Sequence, residues 1–281
     1  MKEKIKAIIK RSPRLYNLLL IVRLKLTNPK VRIASHKCVE LFQSIIKVSD
    51  DEIIRIIKTL EQRNRICFVQ IGSNDGKQGD PLYNFVMKSD KWHGVLVEPV
   101  NFLFERLKKN YANKSGLIFE NSLISNDRKE RIFYYVDSSA KKSFPDLPDW
   151  YDQLGSFNHG HILHHLGKKI EPYIKKQSLK SIKLNDLLRK YDIHGLDLLH
   201  IDVEGHDYQI IKQLDLKRMR PVMILIEHKH LSFWETFKLI KKLIRFYMLF
   251  TNGADILCVD LNFSNQVDVL NFHTTDCLGS A

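Results

Sequence analysis

The stretch FVQIGSNDGKQGD, residues 68–80, restricts the possible folds of this chain more than any other segment. An apolar run from Ile66 to Ile71 is typical of a strand that is buried on both faces, as in parallel sheets. The run ends in a turn with three glycines, and the residues after it predict a helix with Pro81 in its first turn. A strand, a glycine turn and a helix together predict the first unit of an α/β fold that binds a nucleotide.

The composition of the turn excludes two common kinds of nucleotide site. The spacing of Gly72 and Gly76 does not fit G-x-G-x-x-G, the pattern of dinucleotide-binding turns. No G-K-[ST] sequence follows, so the turn is not a phosphate-binding P-loop. We predict that the ligand contacts the backbone and the polar side chains of the turn, which are Gly72, Ser73, Asn74, Asp75 and Gly76.

A carboxylate at the end of the next predicted strand indicates what the ligand carries. Glu98 lies in GVLVEPV, residues 94–100, and follows Gly76 by 22 residues. An acid at about this distance, about 20 residues on, accepts hydrogen bonds from ribose hydroxyls. Because Asp75 would repel a pyrophosphate, a ligand with a ribose and a positive end fits better. S-adenosylmethionine has both; the alternative is an ordinary glycine turn followed by a solvent-facing glutamate.

Four segments of the chain resemble the FkbM-type methyltransferases. They are FVQIGSNDGKQGDPL (68–82), WHGVLVEPV (92–100), LLHIDVEGHDYQIIK (198–212) and ILIEHKHLS (224–232). The resemblance implies a class I methyltransferase fold, which is a Rossmann-like, seven-stranded and mostly parallel sheet flanked by helices. It also implies O-methylation of hydroxyls, often on sugars, with S-adenosylmethionine as the donor.

The resemblance extends to further cofactor contacts, with one departure. Class I enzymes touch the adenine at the end of the third strand, where this chain has Asn121 and Ser122. The residue before the glycine turn is usually acidic in such enzymes, but it is Gln70 here. The amino-acid end of the cofactor would then rely more on Asp75 and on backbone groups.

The chain divides into an extension and a domain. We predict a basic helical N-terminal extension, residues 1–64, and a methyltransferase domain, residues 65–281, in which 137–177 form an insertion or lid. The segment SDDE (49–52) predicts a capped helix start. Further strands are predicted within 116–125 and at 131–136, 181–184, 196–202, 221–227, 255–261 and 266–272, and further helices at 53–60, 99–112, 185–191 and 232–249.

The net charge of +13 is concentrated near the N-terminus, where residues 1–30 hold nine basic residues and one acid. The apolar run LLLIV (18–22) is shorter than the ~20 residues of a membrane span. A basic amphipathic segment can lie on an anionic membrane surface. A solvated helix pair and, less favoured, a nucleic-acid-binding arm are the alternatives. The four separated cysteines predict a reducing compartment, so we expect a cytoplasmic protein with possible peripheral membrane contact.

The catalytic candidates follow two predicted strands. Asp202, Glu204 and His206 lie at and after the end of the strand at 196–202, and Glu227 ends the strand at 221–227. Open α/β sheets place their ligands at such strand ends. We predict that Asp202 faces the sulfonium or the acceptor, and that Glu204, His206 or Glu227 removes the proton. Asp207 is predicted to cap its helix, and His206 could also be a surface imidazole.

Metal ligation is a second possibility for these groups. Asp202, Glu204 and Glu227 could hold a divalent cation that orients two hydroxyls. The histidines of the insertion, His159, His161, His164 and His165, suggest zinc, but neither a cysteine nor a carboxylate completes them nearby in sequence. Histidines that contact the acceptor or face solvent are therefore the favoured interpretation, and we assign no metal ligand.

Two other classes of function compete with the methyltransferase. One is a basic nucleic-acid-binding protein on a non-catalytic α/β scaffold, and the other is a nicotinamide-dependent oxidoreductase. The first does not account for Glu98 together with the I-D-x-E-G segment, and the second lacks its glycine pattern. We expect a carbohydrate or another hydroxyl-bearing acceptor: a glycolipid or polysaccharide sugar, a secondary metabolite or a protein side chain.

Overall fold

The structure is a computed structural model that describes residues 44–127, 129–264 and 267. Its strands are β1 Ile46–Lys47, β2 Ile66–Ile71, β3 Trp92–Val97, β4 Leu117–Glu120, β5 Leu123–Ile124, β6 Glu130–Val136, β7 Gly155–Ser156, β8 Ile174–Ile182, β9 Leu198–Ile201, β10 Met223–Glu227, β11 Tyr247–Thr251 and β12 Asp255–Asp260. Its α-helices are α1 Asp50–Lys58, α2 Tyr83–Lys88, α3 Asn101–Asn110, α4 Ala140–Ser143, α5 His159–Leu166, α6 Leu184–Lys190, α7 Asp207–Ile211 and α8 Phe233–Leu243.

The main sheet has the strand order β1-β11-β12-β10-β9-β2-β3-β4. Strands β10, β9, β2, β3 and β4 are parallel, whereas β12 runs antiparallel between β10 and β11. The class I, Rossmann-like fold is thus confirmed, with eight strands in this sheet rather than the seven expected. The additional strand is β1, because Ile46 and Lys47 pair in parallel with Phe250 and Thr251.

Both faces of the main sheet are covered. Alternate residues of β2 point to opposite sides, so Val69 belongs to one apolar cluster and Phe68 to the other. Helix α1 begins at the predicted capping box between Ser49 and Glu52, and its apolar face packs into the Phe68 cluster. Residues 46–60 therefore pack with the main sheet, although the sequence-based division at residue 64 separates them from it.

A second, four-stranded sheet has the order β5-β8-β6-β7. Strands β6 and β8 form a long antiparallel pair, and β7 pairs with β6 from within the predicted insertion. The insertion contains helices, and with the end of β6 it forms an apolar core that includes Val136, Tyr151, Ile162 and Ile170. Residues 137–177 are thus ordered by local packing, and their lack of a clear sequence period reflects short elements.

The structure corrects two predicted helices. Helix α2 begins at Tyr83 with Leu82 as its N-cap, so Pro81 precedes the helix instead of lying in its first turn. Helix α8 ends at Leu243, whereas the sequence predicted a helix from 232 to 249. Tyr247, Leu249 and Phe250 are buried in β11 instead, because this strand pairs with both β12 and β1. The predicted strand at 266–272, apart from Val267, and the basic segment 1–30 lie outside the described residues. Within the described residues, no helix combines the length and apolar character needed to cross a membrane.

Candidate active site

The glycine turn after β2 allows two strand ends to meet. The backbone N–H groups of Gly72 and Ser73 both donate to the Val97 carbonyl at 3.0 Å, which joins the ends of β2 and β3. Gly72 has a φ of +81°, and a Cβ there would lie 1.8 Å from the Asp202 carbonyl oxygen. Only glycine permits this approach of β2 to β9. The predicted donor turn and the predicted catalytic Asp202 are therefore in contact.

Glu98 is oriented by the backbone around it. Its side chain is buried, with 3% of the residue exposed. Oε2 accepts a hydrogen bond from the Asn74 N–H at 2.9 Å, and Oε1 accepts one from the Val100 N–H at 2.8 Å. Burial raises the pKa of Glu98 to about 7, although both hydrogen bonds oppose this rise. Each oxygen keeps a further lone pair that can accept from a hydroxyl.

Glu98 lines a narrow pocket, which we call the donor pocket. Its walls include Gly72, Asn74, Ser122, Val203 and His206, and Phe133, Gln153 and Phe157 cover it. The free volume is about 40 Å³, which admits only a few water molecules. A nucleoside would therefore require the covering side chains to move.

Three predicted donor residues shape this pocket from outside. Asp75 accepts from the N–H groups of Lys77 and Gln78, both at 2.9 Å, and so stabilises the turn. The Asn121 amide donates to the carbonyls of Glu98 and Pro99, which holds the end of β3. Gly76 packs against α3, where a Cβ would lie 2.3 Å from Leu107 Cδ1. Neither cavity of the site is lined by Asp75, Gly76 or Asn121.

A wider cleft adjoins the donor pocket, and we call it the acceptor cleft. Its volume is about 450 Å³. The two cavities share Gly72, Asn74, Gln153, Asp202 and Glu204 as lining residues. The rest of the cleft is mostly polar and includes Gln70, Ser73, Asp80, Trp150, His165, His200, Glu227, Lys229 and His230. The sheet edge and the insertion thus enclose one continuous site.

Three of the four predicted catalytic residues meet at this cleft. Burial raises the pKa of Asp202 well above its usual value, and the charges of Glu227 and Glu204 raise it further. Burial and Glu204 also raise the pKa of Glu227, whose Oε1 forms an ion pair with Lys229. Burial disfavours ionisation of Glu204, but the His230 ring, with Nε2 at 3.0 Å from Oε2, lowers the pKa of this carboxyl.

The loop that carries Glu204 has a strained backbone, and the side chain of Asp207 stabilises it through hydrogen bonds. Glu204 itself has a φ of +51°, a backbone conformation that residues other than glycine rarely adopt. Asp207 accepts hydrogen bonds from the N–H groups of Val203 and Gly205 at 3.2 and 3.1 Å. It is completely buried, and burial raises its pKa to about 7. Asp207 therefore supports the loop, while its neighbour His206 is the N-cap residue of α7.

His206 lies on the donor side of the site. Its ring is 5.1 Å from the Phe157 ring, and burial lowers its pKa. It lines the donor pocket rather than the acceptor cleft. The structure therefore separates His206 from Glu227, the carboxylate with which it was expected to compete as a base.

Several residues of the cleft were not predicted from the sequence. Burial raises the pKa of Asp80 to about 6, and its Oδ1 accepts from the Leu82 N–H at 2.7 Å. Burial lowers the pKa of His200, inside β9, to about 4. Lys229 and His230 follow β10 directly, so their position after a predicted strand end could have identified them. Asp80 and His200 gave no comparable signal, because one precedes a proline and the other interrupts an apolar strand.

Residues 70–251 match the family described as Methyltransferase FkbM domain. The chain belongs to this family. The matched segment runs from the end of β2 to the end of β11 and contains both cavities of the site. Family membership assigns a methyltransferase that depends on S-adenosylmethionine, the first of the three functions considered from the sequence.

Two solved structures show a low similarity to this chain. A precorrin-6y C5,15-methyltransferase from Geobacter metallireducens GS-15 has 11% identity and a TM-score of 0.36, with 74% of this chain and 89% of that chain covered. A fibrillarin pre-rRNA processing protein from Methanococcus jannaschii has 10% identity and a TM-score of 0.36, with 70% and 67% covered. The comparison with curated proteins finds no match.

Proposed function

We propose that this methyltransferase transfers the methyl group of S-adenosylmethionine to a hydroxyl oxygen of a sugar. One observation carries the proposal: the donor pocket around Glu98 and the polar acceptor cleft share Asp202 and Glu204 at their boundary. A methyl group crosses only between atoms in close contact, so the two substrates must meet where these cavities join.

The residues of the donor pocket fit an adenosine with a positively charged substituent. Glu98 is buried and preoriented, and its oxygens accept hydrogen bonds from the ribose hydroxyls. Ser122 and the rings of Phe133 and Phe157 offer a polar atom and apolar surface to a base. S-adenosylmethionine supplies an activated methyl group on a sulfonium. The carboxylate of Asp202 offsets that positive charge at the boundary, while Gln70 and Asp80 line the part of the cleft that would take its amino-acid end.

The acceptor cleft offers two bases for the hydroxyl proton. A neutral hydroxyl is a weak nucleophile, and a positioned base contributes about 10²–10⁴-fold to such a reaction. Glu204 and Glu227 line the same cleft from neighbouring strand ends. The oxygen attacks the methyl carbon, the bond from carbon to sulfur breaks, and the hydroxyl proton passes to one of these carboxylates. Lys229 forms an ion pair with Glu227 and so balances the negative charge of that carboxylate.

Trp150 supports a sugar as the acceptor. It lies at the cleft with 45% of its surface exposed, although a large aromatic side chain is usually buried. A flat apolar ring beside several hydrogen-bonding groups suits a sugar ring, which has an apolar face and a polar edge. A secondary metabolite or a protein side chain would make less use of this combination.

The acceptor class can be tested with the whole chain. The protein would be incubated with isotopically labelled S-adenosylmethionine and a mixed pool of glycans, glycolipids and free sugars, and the products would be analysed by mass spectrometry. We expect labelled methyl ethers on a sugar. Their yield should fall strongly in Glu98→Ala when the donor concentration is near the wild-type Kd, and Trp150→Ala should mainly raise the KM for the acceptor. Label on protein or on non-sugar alcohols, with none on any sugar, would reject a sugar acceptor.

We also propose a location for the reaction. The +8 charge of residues 1–30 and the aliphatic residues between those charges suit binding to an anionic membrane surface. A cytoplasmic enzyme held there would act on lipid-linked glycans.

A further inference from the structure

Three imidazoles converge at the edge of the acceptor cleft from separate parts of the chain. His161 and His165 lie one turn apart on α5, and His230 follows β10. The ring centroids are 4.6 Å apart for His161 and His165, 5.2 Å for His161 and His230, and 5.7 Å for His165 and His230. One nitrogen from each ring lies within 4.8 Å of the others. Histidines at i and i+4 on one helix face are a known zinc-ligand spacing.

Two carboxylates lie beside this cluster. Glu204 Oε2 lies 3.0 Å from His230 Nε2 and 3.6 Å from His161 Nε2. Glu227 is 4% exposed, and its Oε2 lies 3.9 Å from His230 Nε2. A set of Glu204, Glu227 and His230 also places its ligand atoms within 4.8 Å of one another.

Several of these atoms are shielded from solvent and form no hydrogen bond. Within the described part of the chain, His161 Nε2, Glu204 Oε2 and Glu227 Oε2 are buried and have no hydrogen bond. The 3.0 Å separation of Glu204 and His230 has the length of a hydrogen bond but not its alignment, so the contact leaves the carboxylate oxygen unsatisfied. Buried polar atoms in native proteins are almost always paired, and a cation bound here would pair with His161 Nε2 and Glu204 Oε2, which lie 3.6 Å apart.

We propose that His161, His165, His230 and Glu204 bind a divalent transition-metal ion, for which Zn²⁺ is the probe. Imidazole nitrogens favour zinc and its neighbours, whereas Mg²⁺ and Ca²⁺ prefer oxygen ligands alone. This site differs from the all-carboxylate set Asp202, Glu204 and Glu227 considered from the sequence. Its ligands come from the insertion and from both central strand ends, so the ion fastens the insertion to the main sheet.

The position of the ion also deepens the proposed function, and this role rests on that function. A hydroxyl that joined the four protein ligands as a fifth would lose its proton more readily than a free one. The hydroxyl of an acceptor in the cleft would thus be activated beside Glu227. This carboxylate is not one of the proposed metal ligands, so it can remove the proton. Metal binding itself does not depend on the identity of the acceptor.

Metal content tests the proposal without any assay of activity. The full chain, free of a histidine tag, would be loaded with Zn²⁺, dialysed and measured by mass spectrometry of the metal. We expect about one zinc per chain in the wild type and in His164→Ala, since His164 is an exposed α5 histidine outside the ligand set. We expect background levels in His165→Ala and His230→Ala. Co²⁺ loading should give the visible absorption of a low-coordinate site in the first pair only.

Background zinc in the wild type, or unchanged zinc in both His165→Ala and His230→Ala, would overturn the proposal. Binding of S-adenosylmethionine by each variant shows that a loss of zinc is not a loss of fold. The outcomes also separate the two proposals: bound zinc without methyl transfer to any sugar contradicts only the function, and methyl transfer without bound zinc contradicts only the metal site.

Discussion

Asn74 donates its backbone N–H to Glu98 Oε2 at 2.9 Å, and this bond joins the turn after β2 to the end of β3. The other oxygen of Glu98 is held by the Val100 N–H. The carboxylate is therefore fixed before a ligand arrives, so little conformational entropy is lost on binding.

Glu98→Ala should weaken the binding of S-adenosylmethionine by about tenfold to a hundredfold. The loss of hydrogen bonds to a carboxylate corresponds to about 1.5–3 kcal/mol. Titration calorimetry measures the affinity directly, and Glu105→Ala, an exposed glutamate on α3, is the control. An unchanged Kd in Glu98→Ala would remove Glu98 from the site.

Glu98 should also make stability depend on pH. Its pKa rises from 4.5 in the unfolded chain to about 7 in the folded protein. The folded state then binds the proton more tightly, so this contribution is fully present below about pH 4.5 and is lost as the pH rises through about 7, on the order of 3 kcal/mol. We expect Glu98→Gln to flatten the pH profile of the unfolding free energy in this window. Denaturant titrations of both proteins check it, and parallel profiles would contradict the assigned pKa.

Gly72→Ala should destabilise the fold far more than Gly79→Ala. Both glycines have a positive φ, +81° and +73°, but only Gly72 lies against the Asp202 backbone, and a Cβ at Gly79 meets no atom within 4 Å. We expect a loss of about 3–5 kcal/mol for Gly72→Ala and about 1 kcal/mol for Gly79→Ala. Urea denaturation midpoints compare the two variants, and equal losses would show that strain alone, without the steric clash, governs this turn.

Glu227→Gln and Glu204→Gln should each lower turnover while leaving donor affinity unchanged. The substitution keeps the shape of the side chain and removes the charge that accepts the proton, so kcat should fall by about 10²–10⁴-fold. Steady-state kinetics and calorimetry together separate the two effects, with Glu105→Gln as the control. Normal turnover in both variants would place the base elsewhere, and the histidines of the insertion would be examined next.

Residues 1–30 should confer binding to anionic vesicles. The full chain should co-sediment with vesicles that contain phosphatidylserine, whereas a chain that starts at Val31, which retains β1 and α1, should stay in solution. Neutral phosphatidylcholine vesicles provide the control, and added salt should release the bound protein because it screens the attraction. Equal sedimentation of both chains with both vesicles would contradict the membrane proposal.

The parts of the fold that were predictable are those with a local signal. The strand before Gly72, the position of Glu98 and the capping box at Ser49 all follow from neighbouring residues, and the structure confirms each of them. Strand β11 was missed because it is defined by its pairing with β12 and β1, partners that its own sequence does not reveal.

The histidine cluster shows a different limit. Its members on α5 and after β10 are separated by 65 residues from His165 to His230, and only the tertiary fold brings their rings together. Asp75 and Asp80 illustrate the same limit over a short distance. The sequence favoured Asp75 as the cofactor ligand, but backbone geometry turns Asp75 into the loop and Asp80 towards the cleft.

The separate apolar core of the insertion has an evolutionary consequence. Tyr151, Ile162 and Ile170 pack with one another rather than in the clusters that cover the main sheet. Mutations that reshape Trp150 or α5 therefore leave the packing around Glu98 largely undisturbed, since distant sites contribute independently to stability. An ancestral enzyme could acquire new acceptors by drift at Trp150 and on α5, while Glu98 and the insertion residues that cover the donor pocket, Gln153 and Phe157, stayed under constant selection.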